Sequence, residues 1–273
     1  MKKIIAIVLC VALALGMFAG CAKKTETLNK LEQIKQAGVL VVGTSPDYPP
    51  YEFVIAGDNG EMEYKGIDID IANEIASDLG VDLKIEAVDF DGLDSALQMG
   101  TIDMILAAYN PDEKRAEVMD FSDVYYIDEV VALVMADAAD SYTDLATSFN
   151  GKKVGVQLGT TLETDYFPQA VGAEKVALKK VTQLVSELKA GAMDAIFVEK
   201  PIAESYIANN PELAIATGIS FATEATGYVV GLPKDSPELA AAVNATIKRL
   251  VDANAIAGFA ESAQDIQDQA VLD

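Results

Sequence analysis

The chain has 273 residues and a formal net charge of −23, a balance that repels a phosphate backbone and argues against nucleic acid as a partner. It contains no histidine and no tryptophan, which excludes every histidine-dependent triad, general base and metal site. Hydrophobic residues make up 51%, enough for a packed core rather than a disordered chain.

The N-terminus reads as an export signal. Lys2 and Lys3 precede a continuous apolar run over residues 4–18, shorter than a membrane-spanning helix needs. Ala19 and Gly20 then lead to Cys21, a small-small-Cys ending that resembles a bacterial lipobox. The expected organisation is a signal peptide at 1–20, then a lipidated Cys21 and a polar tether at 21–38. The only cysteines are Cys10 and Cys21, so the domain that follows has no disulfide and must hold together by packing.

Beyond the tether, apolar segments alternate in period. VLVVGTS (39–45) reads as a buried strand. From Asp68, the residues Ile71, Ile75 and Leu79 recur at helical spacing until Gly80, and DLKIEAV (82–88) reads as the next strand. The pattern continues to a C-terminal helix with Leu239, Val243, Ile247 and Leu250 on one face. Strands separated by helices predict mostly parallel sheets covered by helices.

One segment recurs. LDSALQMGTIDMIL (93–106) and LVSELKAGAMDAIF (184–197) match at Leu93/Leu184, Ser95/Ser186, Leu97/Leu188, Gly100/Gly191 and Asp103/Asp194. Each reads as helix, glycine stop, turn, Asp and buried strand, the glycine suiting a left-handed cap. The repeat predicts two similar α/β lobes.

Open α/β sheets bind ligands beyond the carboxyl ends of their strands. After the first copy comes Ala107-Ala108-Tyr109-Asn110-Pro111-Asp112 and then Arg115; after the second comes Val198-Glu199-Lys200-Pro201. One lobe thus offers a cation and the other a carboxylate, a pair that fits a zwitterion. Arg115 is one of only two arginines, with Arg249. A guanidinium fork matches a carboxylate bidentately where lysine cannot. Asp112 can cap the helix carrying Arg115, whose first N–H groups would add anion donors. The competing readings are a surface Arg115 paired with Glu117 or Asp120, and an exposed Glu199 at a helix start.

Several motifs resemble the family 3 extracellular solute-binding proteins, the polar amino-acid receptors of ABC importers. They are VGTSPDYPPYEF (42–53), GIDIDIANEIASDLG (66–80), DMILAAYNPDEKRAEVMDFSDVYY (103–126), GKKVGVQLGTTLE (151–163) and MDAIFVEKP (193–201). The resemblance implies a two-lobe, type II periplasmic-binding-protein-like α/β fold, each lobe a mostly parallel sheet with flanking helices, joined by two hinge strands. The first lobe would comprise 39–129 and the return segment 227–273, the second 130–226.

The same resemblance implies roles. Arg115 would hold the ligand α-carboxylate, helped by the backbone N–H groups of Asn110 and Thr161. Glu199 would hold the α-ammonium, with the Ala108 carbonyl as second acceptor. Tyr48 and Phe90 would sandwich the side chain, and Ser45, Tyr51, Gln157 and Thr160 would shape the pocket. Asp68 and the Asp120-Phe121-Ser122 turn read as structural. Ala108-Tyr109-Asn110 stands where relatives often have Gly-Met-Ser or Gly-Ile-Thr. Glu199 replaces a frequent Asp, and a tryptophan common near family C-termini is missing.

The implied function is a lipid-anchored receptor on the extracytoplasmic face of a bacterial membrane. It would be a monomer that captures a polar or basic L-amino acid and delivers it to an ABC permease. No cofactor or metal is expected. Two alternatives share the fold: a secreted cyclohexadienyl dehydratase, and an amino-acid sensor acting with a separate receptor. Acidic residues such as Asp47, Asp89 and Asp91 are expected to face solvent.

Overall fold

The computed structural model describes residues 28–57, 60–221 and 226–270; the signal and Cys21 lie outside them. Helix α1 (Lys30–Ala37) falls inside the stretch expected as tether. Asn29 and Glu32 cap its start reciprocally, and Ile34 is buried. A capping box, not composition, decides this segment, because it satisfies N–H groups that a polar linker would leave to water.

The first lobe is built on β1 (Val39–Thr44), the hairpin β2 (Phe53–Ala56) and β3 (Met62–Lys65), α2 (Ile67–Leu79), β4 (Asp82–Ala87), α3 (Leu93–Gln98) and β5 (Met104–Ile105). The short helix α4 (Glu113–Ala116) and β6 (Met119–Phe121) follow. Ile71, Ile75 and Leu79 are buried against the sheet, as their spacing predicts. Gly66 opens α2 at φ 123°, where a Cβ would run into the Tyr51 carbonyl. Only glycine lets the chain close that tightly, and the closure aims Asp68 inward.

The second lobe contains β7 (Val130–Met135), β8 (Lys153–Gln157), β9 (Glu174–Leu178), α5 (Val181–Lys189), β10 (Ala195–Glu199), α6 (Lys200–Asn209) and β11 (Leu213–Ile215). The chain then returns through β12 (Gly231–Pro233) to α7 (Pro237–Asp252) and α8 (Ala255–Ala270). Leu239, Val243, Ile247 and Leu250 form the buried stripe of α7.

Both sheets follow one plan. The first has the order β4-β1-β5-β12-β6 and the second β9-β8-β10-β7-β11. In each, three parallel strands are followed by two antiparallel pairings. The internal repeat occupies equivalent places in both. Gly100 and Gly191 end their helices at φ 70° and 73°. Asp103 accepts from Val41 N at 2.8 Å, and Asp194 accepts from Lys153 N at 2.8 Å. Each aspartate therefore ties the strand after the repeated helix to that strand's parallel neighbour, β1 or β8. The repeated residues are framework.

Two extended segments cross between the lobes and pair through an isolated antiparallel bridge, Tyr126 with Tyr228. Tyr51, Tyr125, Tyr126 and Tyr228 pack there with ring centroids 5.0 to 6.3 Å apart. Among the described residues, no helix is long and apolar enough to cross a membrane.

Candidate functional site

The carboxyl ends of β5 and β10 face each other across the cleft between the lobes. Beyond β5, Ala108 holds a left-handed backbone, φ 45°, which costs an ordinary residue about 1 kcal/mol or more. Asp68 enforces it. Its carboxylate accepts from Ala108 N at 2.7 Å and from the Tyr125 hydroxyl at 2.8 Å. Burial pushes the Asp68 carboxyl up to about 7, opposed by those two hydrogen bonds. Asp68 thus links α2, the β5 end and a crossing strand.

Asp112 caps the next turn, accepting from Arg115 N at 2.8 Å as expected, but α4 is a single turn rather than an extended helix. Arg115 is buried. Its guanidinium donates to the Asn110 carbonyl at 2.7 Å and to the Gly159 carbonyl, from the second lobe, at 2.9 Å. Nε faces Asp112 at 3.4 Å and Asp94 at 3.6 Å, not Glu117 or Asp120. The guanidinium lies over the Tyr109 ring at 4.2 Å and the Phe90 ring at 5.5 Å. Tyr109 is the floor beneath the cation.

Glu199 ends β10 and begins α6, and it is only 6% exposed. The Tyr48 hydroxyl reaches across from the first lobe and donates to it. Burial pushes the Glu199 carboxyl up to about 7, opposed by the Tyr48 hydrogen bond; the negative charge of Asp128 adds to the rise.

The other expected residues divide. Asn110 Nδ2 donates to the Gly227 carbonyl at 3.1 Å, and its Oδ1 faces Thr161 Oγ1 at 3.4 Å. Thr160 and Gln157 are buried, Thr160 bonding the Gln157 carbonyl and Gln157 the Lys179 carbonyl. Phe90 packs on Tyr109 with centroids 5.8 Å apart. Ser45 donates to Asp47 at 2.9 Å. Tyr51 turns to the hinge, where its hydroxyl donates to Asp128 at 3.0 Å.

Asp47 departs from the expectation that these acids face solvent, whereas Asp89 and Asp91 stay solvent-accessible while pairing across the cleft. Asp47 accepts from Val181 N, at the start of α5 in the second lobe, at 2.7 Å, and lies 3.6 Å from Lys180. Lys180 pairs with Asp89 at 3.0 Å, and Lys179 with Asp91 at 3.3 Å and Asp89 at 3.4 Å. Burial raises the Asp47 carboxyl, opposed by Lys180 and the Val181 N–H. These acids lie on one lip of the cleft and close on the opposite lip.

Between the lobes remains a small cavity of about 10 Å³, lined by Asn110, Asp128, Tyr166, Glu199 and Tyr228 among others. Asp128 belongs to the first crossing segment, and burial pushes its carboxyl up to about 6. The Tyr228 hydroxyl is buried with no partner at hydrogen-bond distance, yet stands near enough to Glu199 to oppose the rise of that carboxyl. A larger polar groove of about 700 Å³ opens on the far side of Arg115, lined by Asp94, Asp112, Glu117, Glu163, Lys114 and Lys175. Glu52 is the remaining buried acid. Its Oε2 has no partner, and burial holds its carboxyl well above the usual range, reinforced by Asp68, Asp47 and Glu199. Sequence patterns could not single out Asp128, Tyr228 or Glu52, because each sits beside ordinary apolar or turn residues. No group of acidic or sulfur ligands arranged for a metal occurs among the described residues.

The family model for bacterial extracellular solute-binding proteins, family 3, matches residues 40–262. The arginine-binding extracellular protein ArtP of Bacillus subtilis is 31% identical over 216 residues, covering 78% of this chain and 81% of that protein. The L-cystine-binding protein TcyJ of Escherichia coli is 30% identical over 243 residues, covering 89% and 88%. Among solved structures, the amino-acid ABC transporter substrate-binding protein AbpA of Streptococcus pneumoniae, bound to L-arginine, aligns with a TM-score of 0.83. It is 33% identical and covers 86% of this chain and 98% of that one.

Proposed function

The chain belongs to the bacterial extracellular solute-binding proteins, family 3, and on that premise we propose that it captures a polar or basic L-amino acid between its lobes and delivers it to an ABC permease. In this reading it is a monomer, carried outside the cytoplasm by its signal and held by lipid on Cys21. Residues 39–129 with 227–273 form one lobe, and 130–226 the other.

One observation carries the reading. A guanidinium from the first lobe and a carboxylate from the second meet the opposite lobe within one buried cleft, Arg115 at Gly159 and Glu199 at Tyr48. A zwitterion fits that polarity. Its carboxylate would take the Arg115 donors now shared by the Asn110 and Gly159 carbonyls. Its ammonium would take Glu199, with the Ala108 carbonyl alongside. Tyr48, Phe90, Ser45, Tyr51, Gln157, Thr160, Thr161 and Asn110 would shape the rest. Only a ligand carrying both charges bridges the lobes, so occupancy favours the closed form that a permease reads.

The half-buried acids Asp128 and Asp47 flank this cleft, and their negative charge favours a cationic side chain. The relatives named for arginine and the neighbour bound to L-arginine support that preference. The test is a thermal-shift screen of the domain from Lys23 with the common L-amino acids, ornithine, citrulline and prephenate. A ligand at a hundred times its Kd adds about 2.7 kcal/mol of stability. A shift with basic L-amino acids supports the reading; a protein that consumes prephenate and shifts with no amino acid overturns it.

A further inference from the structure

The small cavity between the lobes brings two carboxylates to one point. Glu199 comes from the end of β10 and Asp128 from the first crossing segment; no lysine or arginine lines the space. Its volume of about 10 Å³ is the room of a single water-sized group. Asp128 already accepts from the Tyr51 hydroxyl at 3.0 Å and from Glu129 N at 2.7 Å. Neither donor is a cation. Across the cavity stands the Tyr228 hydroxyl, 1% exposed, beside Glu199 but with no partner at hydrogen-bond distance. A buried hydroxyl left unbonded costs about 1–3 kcal/mol, which a polar donor seated in this cavity would offset. Two carboxylates and a hydroxyl oxygen around a water-sized space match the three donors of an ammonium.

We propose that Asp128 is a second carboxylate of the ammonium subsite, sharing the ligand α-ammonium with Glu199 while the Tyr228 hydroxyl accepts its remaining N–H. This rests on the amino-acid receptor reading. Because Tyr51 binds Asp128 and packs on Tyr126 and Tyr228, the ammonium touches the hinge itself as well as the two lobes. The groups facing Asp128 are Glu129 and Glu204 beside it, Glu199 across the cavity, and Tyr48, Tyr51, Tyr126 and Tyr228 around it. Glu129 is itself met by Lys200 at 3.9 Å.

The experiment is titration calorimetry between pH 5 and 8, with whichever of L-arginine, L-lysine, L-histidine, L-glutamine and L-cystine binds the wild-type protein most tightly. Asp128→Asn is expected to weaken binding about 10- to 100-fold at pH 7.5, the range for a lost charge-assisted hydrogen bond. Wild-type affinity is expected to rise with pH with a slope approaching two protons, and that of Asp128→Asn with a slope near one. Asp128→Glu should restore the steeper slope. Tyr228→Phe, which removes one oxygen and no charge, should weaken binding several-fold and keep the slope. Wild-type affinity and slope in Asp128→Asn, with wild-type protein binding normally, overturn this inference alone. If Asp128→Asn does not fold, unchanged affinity in Tyr228→Phe overturns it. A wild-type protein that binds none of the amino acids overturns the receptor reading as well.

Discussion

Arg115 donates to the main-chain carbonyl of Gly159, 2.9 Å away and 44 residues on in the chain. The residue just beyond β5 of one sheet is thereby bonded to the loop that follows β8 of the other. A second donor holds the Asn110 carbonyl, and Nε faces two carboxylates.

That arrangement separates guanidinium from ammonium. Lysine has the charge but not the fork, and one compact ammonium cannot serve carbonyls and carboxylates on several sides. Arg115→Lys is expected to lose at least 100-fold in amino-acid affinity, and Arg115→Ala to abolish binding, by titration calorimetry. Either variant binding within threefold of wild type would remove Arg115 from the site.

Glu199 titrates near 7 in the folded protein without ligand. An ammonium beside it favours the charged form, so binding near neutral pH expels a proton. Affinity should rise as pH increases through 7 and level off above it. Calorimetry at pH 6.5 in buffers of different ionisation enthalpy should show proton release on binding. Glu199→Gln should reduce that release and weaken binding at pH 8 by about tenfold or more. Equal proton release in the variant would contradict the role.

The lip of the cleft predicts a graded response. Exposed pairs such as Lys179 with Asp91 are screened by solvent and contribute little. The Asp47–Val181 N–H bond is part-buried and charge-assisted, worth about 1.5–3 kcal/mol. Asp47→Ala should therefore weaken ligand binding about tenfold and enlarge the ligand-free radius of gyration in X-ray scattering. Lys179→Ala should change affinity less than about threefold. A larger effect at Lys179 than at Asp47 would show that screening, not burial, governs closure.

Glu52 predicts a stability effect of the opposite kind from most acids. Its unfolded carboxyl titrates near 4, whereas the folded one does so only well above that value. Between the two, the folded state holds a proton that the unfolded state lacks, so stability falls as pH rises. Glu52→Gln removes that dependence. Its Tm should exceed wild type by several degrees at pH 8 and match it within about 1 °C at pH 4. A lower Tm at pH 8 would mean the ionised carboxylate is satisfied.

Much of the protein is legible from local pattern. Helical stripes on α2 and α7, the duplicated helix-Gly-Asp-strand segment and the alternation of strands and helices lead to two similar sheets. These signals survive in sequence because periodic burial and capping act over a few residues. Arg115 and Glu199 are legible for the same reason, each lying just beyond a strand that the repeat locates.

The contacts that turn two sheets into one cleft belong to tertiary structure. Asp47 meets a helix start 134 residues away, and Lys180 meets Asp89 from the other lobe. Asp128 gains its place only when a crossing segment brings it beside Glu199. Nothing in neighbouring residues distinguishes these acids from the many on a surface of this charge. Burial and opposing charge decide their chemistry, and both exist only once the lobes have folded and closed.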